Sequence, residues 1–269
     1  MRKNNFPFKI SVVFSAKFFL HGISTWHTGT VIRIEDATYN TKRFFIEVKD
    51  LESFDFKAGQ FVTLDLPIHE KVNKRWRSYS IASWPDGSNV FELLIVLLEG
   101  GAGSTYLFNE VKVGSEISFR GPQGMFTLPE NIDKDLFFIC TGTGIAPFRS
   151  MVNYINLHKV PHQNLYLIFG CRTKKDLLYY DEMKALEKEL DNFHYMPSLS
   201  REEWEGHKGY VHDLYQSICK KNNKACENLE NLKPASFYLC GWKFMVDDAR
   251  KNIADLGYDR KSVHLELYG

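Results

Sequence analysis

Short runs of residues that favour β-structure follow one another from residue 28 to residue 129. Val62 and Leu64 alternate with Thr63 and Asp65, a pattern typical of a strand with one face in solvent. A short helical segment at 105–111 interrupts the series after a glycine-rich turn. The series predicts an antiparallel barrel or sandwich, because turn residues separate six such runs. These runs cover residues 30–36, 43–49, 60–67, 77–83, 90–98 and 116–120.

The pattern changes after about residue 131, where apolar runs alternate with stretches of helical spacing. Predicted strands cover residues 136–140, 165–170, 193–199, 237–240 and 264–268, and predicted helices cover 147–158, 180–190, 211–220 and 244–256. A β-α-β-α series of this kind predicts a doubly wound parallel sheet. We therefore expect two domains, at 26–130 and 131–269, after an extension of unknown role at 1–25.

Composition and charge narrow the functional class. The 269 residues are 44% hydrophobic and 25% charged, which is the profile of a globular protein long enough for two domains. The formal net charge of +1 gives no global field that would favour nucleic acid or a membrane surface. No apolar run is long enough to span a membrane, and we expect a cytoplasmic protein. The five cysteines are widely spaced, so the sequence predicts neither a metal site nor a disulfide framework. They are Cys140, Cys171, Cys219, Cys226 and Cys240.

A glycine-rich turn follows the first predicted strand of the second domain. It leads into a predicted helix and reads Gly142-Thr143-Gly144-Ile145-Ala146-Pro147. Glycine lets a backbone approach a ligand closely, proline suits a first helical turn, and the amides at a helix N-terminus attract anions. A dinucleotide diphosphate binds at such a place in open α/β sheets. The third glycine of the Rossmann fingerprint is missing, so a plain tight turn is the alternative.

Two further segments carry candidate chemistry. In the first domain, the segment Arg77-Ser78-Tyr79-Ser80 precedes a glycine-rich helix start at 100–104. A fixed guanidinium and a helix N-terminus suit a phosphate, although a half-exposed strand with an arginine on its wet face is the alternative. In the second domain, Cys240 ends a predicted strand, where it lies either at the ligand edge of the sheet or in the core as a small hydrophobic residue.

Together these segments resemble the ferredoxin–NADP reductase family of flavoproteins, over residues 26–269. Seven segments follow the order of that family: Gly59-Gln60-Phe61, Arg77-Ser78-Tyr79-Ser80, Gly101-Ala102-Gly103-Ser104, Gly121-Pro122-Gln123-Gly124-Met125-Phe126, Gly142-Thr143-Gly144-Ile145-Ala146-Pro147, Phe169-Gly170-Cys171-Arg172, and Leu239-Cys240-Gly241 with Met245. The resemblance implies an N-terminal antiparallel six-stranded β-barrel that binds FAD. It also implies a C-terminal α/β doubly wound parallel sheet that binds NAD(P).

The resemblance implies roles for the residues on the flavin side. Arg77 would pair with the FAD diphosphate, Tyr79 would lie on one isoalloxazine face, and Ser80 would hydrogen-bond near N5. Tyr268 would cover the other flavin face and swing aside for the nicotinamide. Glu266 would relay a proton to Ser80 or the flavin, with a solvent-exposed strand-end carboxylate as the alternative. The remaining FAD contacts would come from Ser78, Gly101, Gly103, Ser104 and the N–H of Thr105.

The resemblance also implies a coenzyme site and a catalytic set. Gly142, Thr143 and Gly144 would cradle the nicotinamide dinucleotide, while Cys240 and Gly241 would flank the nicotinamide ring. Pro147 and Arg172 complete that site, and the catalytic set is Ser80, Cys240, Glu266 and Tyr268. Near the end of the third predicted strand of the second domain, four residues offer a hydroxyl, two cations and an aromatic ring, which suit the 2′-phosphate of NADP(H). Glutamates nearby weaken the positive charge, so NAD(H) is the alternative. The four residues are Ser200, Arg201, Lys208 and Tyr210.

The implied function is hydride transfer between NADP(H) and FAD, coupled to single-electron exchange with a separate carrier. The carrier would be small and acidic, such as ferredoxin or flavodoxin, and would meet Lys71, Lys74 and Arg75 unless these residues only form a solvated loop. The alternative is an NADH-dependent reductase component that serves an oxygenase or hydroxylase. A flavin-binding regulatory module without turnover is a third interpretation, and the presence of segments for both hydride partners argues against it.

Overall fold

The structure is a computed structural model that describes residues 25–223 and 232–268. Most of the expected N-terminal extension, at 1–24, lies outside the described residues, as does Cys226. The described residues form two six-stranded sheets, one antiparallel and one parallel. This is the fold class predicted from the hydrophobic pattern.

The first sheet contains only antiparallel strand pairs, in the order β4-β3-β6-β1-β2-β5. Just beyond β4, Ile81 bridges Leu93 of β5, which joins the two edge strands and closes the sheet into a barrel. Helix α1 (Ala102–Asn109) lies between β5 and β6 in the chain. The strands are β1 (Trp26–Thr38), β2 (Thr41–Glu47), β3 (Phe61–Asp65), β4 (Trp76–Ser80), β5 (Val90–Val96) and β6 (Glu116–Gln123).

Buried aromatic side chains fill the barrel. The ring of Phe54 lies 5.0 Å from that of Phe91 and 5.7 Å from that of Phe119, measured between ring centroids. Burial of a phenylalanine side chain stabilises a fold by about 1.5–3 kcal/mol, so these contacts fix the closed shape. Val62 and Leu64 point into the same core, but the predicted solvent face of the strand is wrong, because Thr63 on the opposite face is buried as well and contacts Ser78.

The second sheet is wholly parallel, with the order β10-β9-β8-β7-β11-β12. Its strands are β7 (Asp135–Thr141), β8 (Leu165–Cys171), β9 (Phe193–Leu199), β10 (His207–Lys208), β11 (Ala235–Trp242) and β12 (Val263–Tyr268). Its helices are α2 (Ala146–His158), α3 (Tyr180–Glu189), α4 (Val211–Asn222) and α5 (Lys243–Asp255). Leu136 and Phe138 pack with α2 and α3, whereas Phe137 and Ile139 pack with α4 and α5. Both faces of the sheet are thus covered, as a doubly wound fold requires.

Three further local features differ from the predictions. Helix α1 begins at Ala102 instead of 105, because the first amides of a helix need no partner within the helix and glycine is tolerated there. The turn after β7 is a 3₁₀ segment, Gly142–Ile145, that precedes α2. Strand β10 was not predicted, because two residues carry no detectable periodicity.

The two sheets share one hydrophobic cluster at their boundary. Ala58, Ala82 and Leu94 from the barrel side pack with Phe148 and Met151 of α2. The boundary therefore contains buried core, and a cleft opens beside it.

Candidate functional site

A cleft of about 1250 Å³ lies between the barrel and the carboxyl edge of the parallel sheet. Strand β4 and the start of α1 line one side, and the ends of β7, β8 and β11 line the other. Sites for single small ligands are typically about 300–1000 Å³, so this cleft has room for more than one bound group. Its position at the carboxyl ends of the parallel strands is the general ligand position of open α/β sheets.

Strand β4 supplies the barrel side of the cleft. Arg77, Ser78, Tyr79 and Ser80 all line it, as the sequence predicts. The Arg77 guanidinium donates to the backbone oxygens of Lys74 at 3.0 Å and Trp76 at 2.7 Å. No ion pair joins Arg77 to a carboxylate within residues 25–223 and 232–268, so its positive charge is available to an anion.

Tyr79 and Ser78 differ in their surroundings. Burial raises the pKa of Tyr79 to about 12, against the opposing effect of Arg77, so the phenol is neutral and its ring is suited to stacking. Ser78 is exposed, and its hydroxyl shares a 3.0 Å hydrogen bond with that of Thr63. Tyr79 therefore supplies a flat apolar face, whereas Ser78 supplies a polar group at the rim.

The start of α1 lies directly against Arg77. A Cβ atom at Gly103 would meet Arg77 Cγ at 2.8 Å, and one at Gly101 would meet Ser104 Oγ at 2.8 Å. Glycine at position 103 therefore keeps the helix start close to Arg77, and glycine at position 101 leaves room for the Ser104 hydroxyl. A cation beside the free amides of a helix N-terminus fits a diphosphate.

Two groups expected to contact the diphosphate at this helix start are engaged within the chain, although Ser104 does line the cleft. The amide of Thr105 donates to the Gly101 carbonyl oxygen at 2.9 Å, and Thr105 does not line the cleft. The hydroxyl of Ser104 is engaged as well, since it accepts from the Leu98 amide and donates to the Gly101 oxygen, both at 3.1 Å. An anion here would meet the backbone amides of 102–104 instead, because these have no partner within the helix.

Three side chains from the two sheets converge at the base of the cleft. Tyr268 donates from its hydroxyl to Ser80 Oγ at 2.6 Å, and Ser80 in turn donates to Glu266 Oε1. Burial raises the pKa of Glu266 against the opposing hydrogen bond from Ser80, and burial also holds the pKa of Tyr268 well above its ordinary value. These groups form a continuous chain of hydrogen bonds that can hold or pass a proton at Ser80.

The turn after β7 faces this cluster from the second domain. Gly142, in the left-handed region at φ 54°, and Thr143 line the cleft. Gly144 does not, because it packs on β11: a Cβ atom there would lie 2.4 Å from the Cys240 oxygen. Pro147 is buried within the first turn of α2. The expected direct contacts of Gly144 and Pro147 with a ligand are therefore replaced by roles in holding the turn.

Cys240 is buried against Tyr268, so it adjoins the cluster of Ser80, Glu266 and Tyr268 without reaching the cleft surface. Its side chain is fully buried, and burial raises the pKa of its thiol well above the ordinary value. Gly241, at φ 146°, and the half-exposed Trp242 reach the cleft in its place. Sequence reasoning also missed Thr141, whose buried Oγ1 has no hydrogen-bond partner and which lines the cleft beside Gly241. Its position as the last residue of β7 was the available signal.

Only some of the residues expected to bind the coenzyme at its 2′-phosphate end line the cleft. Arg172, Ser200 and Tyr210 line the cleft, whereas Arg201 and Lys208 do not. The Lys208 ammonium forms an ion pair with Glu203.

A second acidic contact lies on the same rim. Lys174 is paired with Glu205 at 2.7 Å, so acidic side chains balance two cations of this region. Arg172 and Arg201 form no ion pair within the part of the chain that the structure describes, and they keep a local positive charge.

One of the three cations expected to meet an acidic carrier is already paired. Arg75 pairs with Asp65 at 2.7 Å, which leaves Lys71 and Lys74 as the exposed cations near β4. Within residues 25–223 and 232–268, no three His, Cys, Asp or Glu side chains are grouped so that they could hold a metal ion. No helix in these ranges is both long and apolar enough to cross a membrane.

Comparison with known proteins agrees with this geometry. The family described as the oxidoreductase FAD-binding domain matches residues 28–128, and the oxidoreductase NAD-binding domain matches residues 138–251. Ferredoxin–NADP reductase B of Sorangium cellulosum is 36% identical over 229 residues, which are 82% of this chain and 89% of the relative. The anthranilate 1,2-dioxygenase electron transfer component of Acinetobacter baylyi is 32% identical over 200 residues; these are 73% of this chain but only 53% of that longer relative.

A solved structure extends the likeness to three dimensions. The ferredoxin NADP⁺ reductase of Neisseria gonorrhoeae with bound FAD and NADP superposes with a TM-score of 0.72 at 27% identity, covering 90% of this chain and 98% of that one. The two domains and the cleft between them define a flavin- and nicotinamide-dependent oxidoreductase. The chain belongs to the ferredoxin–NADP reductase family.

Proposed function

We propose that this enzyme transfers a hydride between NADP(H) and FAD and exchanges single electrons with a separate carrier such as ferredoxin or flavodoxin. The observation that carries the proposal is the convergence of Ser80, Glu266 and Tyr268 where the two sheets meet. The Ser80 hydroxyl of the barrel thereby faces the carboxyl edge of the parallel sheet. In the proposal the two domains take the expected bounds, 26–130 and 131–269.

The barrel side would hold FAD. The free guanidinium of Arg77 and the α1 amides beside Gly101, Gly103 and Ser104 would hold its diphosphate. Tyr79 would stack on one face of the flavin ring, and Tyr268 would cover the other. Ser78 would contribute a polar contact at the rim of the cleft.

The bound flavin supplies the chemistry that converts a hydride into two single-electron steps. Ser80 would hydrogen-bond near the reacting flavin nitrogen, and Glu266, whose pKa is raised, would hold or accept a proton through Ser80. Tyr268 would exclude water until a nicotinamide displaces its ring. Cys240, which is buried against Tyr268, would border the nicotinamide once that ring moves aside.

The coenzyme would lie along the carboxyl edge of the parallel sheet. Gly142 and Thr143 would cradle its diphosphate, with Gly144 and Pro147 holding the turn in place. Gly241 would border the nicotinamide, and Arg172 and Ser200 would lie toward the adenosine end with Arg201, Lys208 and Tyr210. The unpaired guanidinium of Arg172, which lines the cleft, supports NADP(H).

A second candidate function is an NADH-dependent reductase component for an oxygenase. The Glu203–Lys208 pair favours it, because a carboxylate near the adenosine ribose suits the free hydroxyls of NADH and opposes a phosphate. The similarity to an anthranilate dioxygenase electron transfer component supports this candidate too. In either case the exposed Lys71 and Lys74 would meet an acidic partner.

The test is an absorbance spectrum of the purified protein, followed by anaerobic addition of NADPH or NADH. The proposal predicts a yellow protein that NADPH bleaches faster and at lower concentration than NADH does. A preference for NADH would select the oxygenase-reductase candidate. A protein that binds no added FAD would refute both.

A further inference from the structure

A buried carboxylate joins the two domains at a distance from the cleft. Glu92 of β5 is 2% exposed and accepts a hydrogen bond from Arg149 Nη1 at 2.9 Å. It also accepts one from the Tyr179 hydroxyl at 2.6 Å. Arg43 of β2 holds the same carboxylate with two further bonds, at 2.7 and 2.9 Å. One side chain of the barrel is thus bound by two side chains of the parallel-sheet domain.

Arg149 is fixed from several sides. It is 4% exposed; its Nε donates to Glu182 at 2.8 Å, and its Nη1 donates to the Ala82 oxygen at 2.9 Å. Its guanidinium carbon lies 4.3 Å from the ring centroid of Tyr179. Charge-assisted bonds from a planar guanidinium are strongly directional, so these contacts define the orientation of the side chain.

Both members of the Glu92–Arg149 pair are held in their charged forms. Burial on its own raises the pKa of Glu92, yet hydrogen bonds and charge from Arg43 and Arg149 lower it below its ordinary value. Burial on its own lowers the pKa of Arg149, and Tyr179 and the neighbouring carboxylates reverse that effect. A buried charge of either sign is costly without its partner, so the two domains are held in one relative position.

The pair is close in the chain to both halves of the cleft. Arg149 lies in the first turn of α2, directly after the 142–145 turn that faces the coenzyme side. Glu92 accepts a backbone hydrogen bond at 2.8 Å from Ala82, two residues beyond Ser80. A shift of one domain against the other at this pair would therefore move the coenzyme turn relative to Ser80.

We propose that Glu92 and Arg149 are positioning residues that set the separation of the two hydride partners. The inference rests on the proposed function. Neither residue lines the cleft, so both act through the segments that they hold. A misplacement of the reacting groups by about 1 Å can slow a reaction roughly 100-fold, even when the change that causes it is far from the chemistry. Loss of the pair can therefore slow hydride transfer.

The test compares Glu92→Gln with Glu182→Gln. The first variant removes the charge that crosses the domain boundary, while the second removes an Arg149 partner within the parallel-sheet domain. For each we would measure FAD content, the limiting rate of flavin reduction by NADPH in stopped flow, and the charge-transfer absorbance of the flavin–nicotinamide complex. Glu92→Gln should keep FAD, lose charge-transfer absorbance and slow reduction about tenfold or more, whereas Glu182→Gln should stay within about twofold of the parent.

If Glu92→Gln does not fold, Tyr179→Phe tests whether the contacts of Glu92 across the domain boundary set the rate of flavin reduction. It removes one hydroxyl bond to Glu92 and keeps the ring against Arg149, and it should slow reduction about threefold with a weaker charge-transfer band. Parent rates and parent absorbance in the cross-domain variant would overturn the proposal, as would equal slowing in Glu182→Gln. A parent protein that binds FAD but is reduced by neither coenzyme would instead refute the proposed function.

Discussion

Tyr268 donates a 2.6 Å hydrogen bond to Ser80, although the two residues are 188 positions apart and lie in different sheets. The contact ties the last described strand to the flavin-side strand β4. It also places Glu266, two residues before Tyr268 on the same face of β12, against the same serine hydroxyl. The chemistry we propose depends on this junction.

Replacement of Ser80 should separate flavin binding from flavin reduction. Ser80→Val removes the donor to Glu266 and the acceptor for Tyr268, so the variant should keep FAD and be reduced by NADPH about tenfold or more slowly. Stopped-flow absorbance measures the rate, and Ser118→Val, at an exposed position on β6, is the matched control. Reduction at the parent rate would mean that Ser80 has no role near the flavin nitrogen.

Replacement of Arg77 should weaken FAD binding itself. Arg77→Ala removes the unpaired guanidinium beside α1, and a charge-assisted hydrogen bond of this kind contributes about 1.5–3 kcal/mol, or roughly a tenfold to hundredfold loss of affinity. The ratio of flavin to protein after gel filtration reports the loss. Arg260→Ala, at an exposed arginine of the second domain, should retain FAD. Full retention by Arg77→Ala would show that its charge does not face the cofactor.

The buried carboxyl group of Glu266 should make stability depend on pH. Because its pKa is raised in the folded protein, the group favours folding below its ordinary titration range and loses that contribution as the pH rises through the raised pKa. The parent should therefore lose stability relative to Glu266→Gln as the pH increases. Urea unfolding at several pH values measures the difference, with the exposed Glu116→Gln as control. A difference that does not change with pH would contradict the buried, proton-holding role.

The Glu203–Lys208 pair should influence coenzyme choice. Glu203→Gln frees the lysine, and the ratio of kcat/KM for NADPH to that for NADH should rise about threefold to tenfold, in keeping with one added charge contact. The exposed Glu189→Gln at the end of α3 should leave the ratio unchanged. An unchanged ratio in Glu203→Gln would place Lys208 outside the phosphate contact.

The spacing of apolar residues along the chain was sufficient to predict an antiparallel sheet followed by a parallel one. The continuous apolar runs at 136–140 and 165–170 reflect burial on both faces of a sheet, so they report directly on the fold, whereas the alternation around Val62 marks a strand correctly but Thr63 is buried too. Ser80, Glu266 and Tyr268 were found because their segments match a family order. Their mutual contact joins two domains, and no local pattern in the sequence encodes it.

Other features depended on partners that are distant in sequence. The predicted strand end at Cys240 is two residues short, because pairing with β12 continues β11 to Trp242, and the burial of Cys240 against Tyr268 depends on that pairing. Arg149 fits a helical pattern, yet its burial depends on Glu92, 57 positions away. The neutralisation of Lys208 by Glu203 likewise required the fold of the loop between β9 and β10.

Hydride transfer across the cleft is tested by a single-turnover reduction with NADPH that carries deuterium at one or the other of its two C4 positions. If the coenzyme lies at the carboxyl edge of the sheet and faces a flavin beside Ser80, only one of its two C4 hydrogens can transfer. We therefore expect deuterium at one position, and not at the other, to slow the bleaching of the flavin. A flavin that is not bleached, or is bleached equally fast with both labelled coenzymes, would contradict hydride transfer across the cleft.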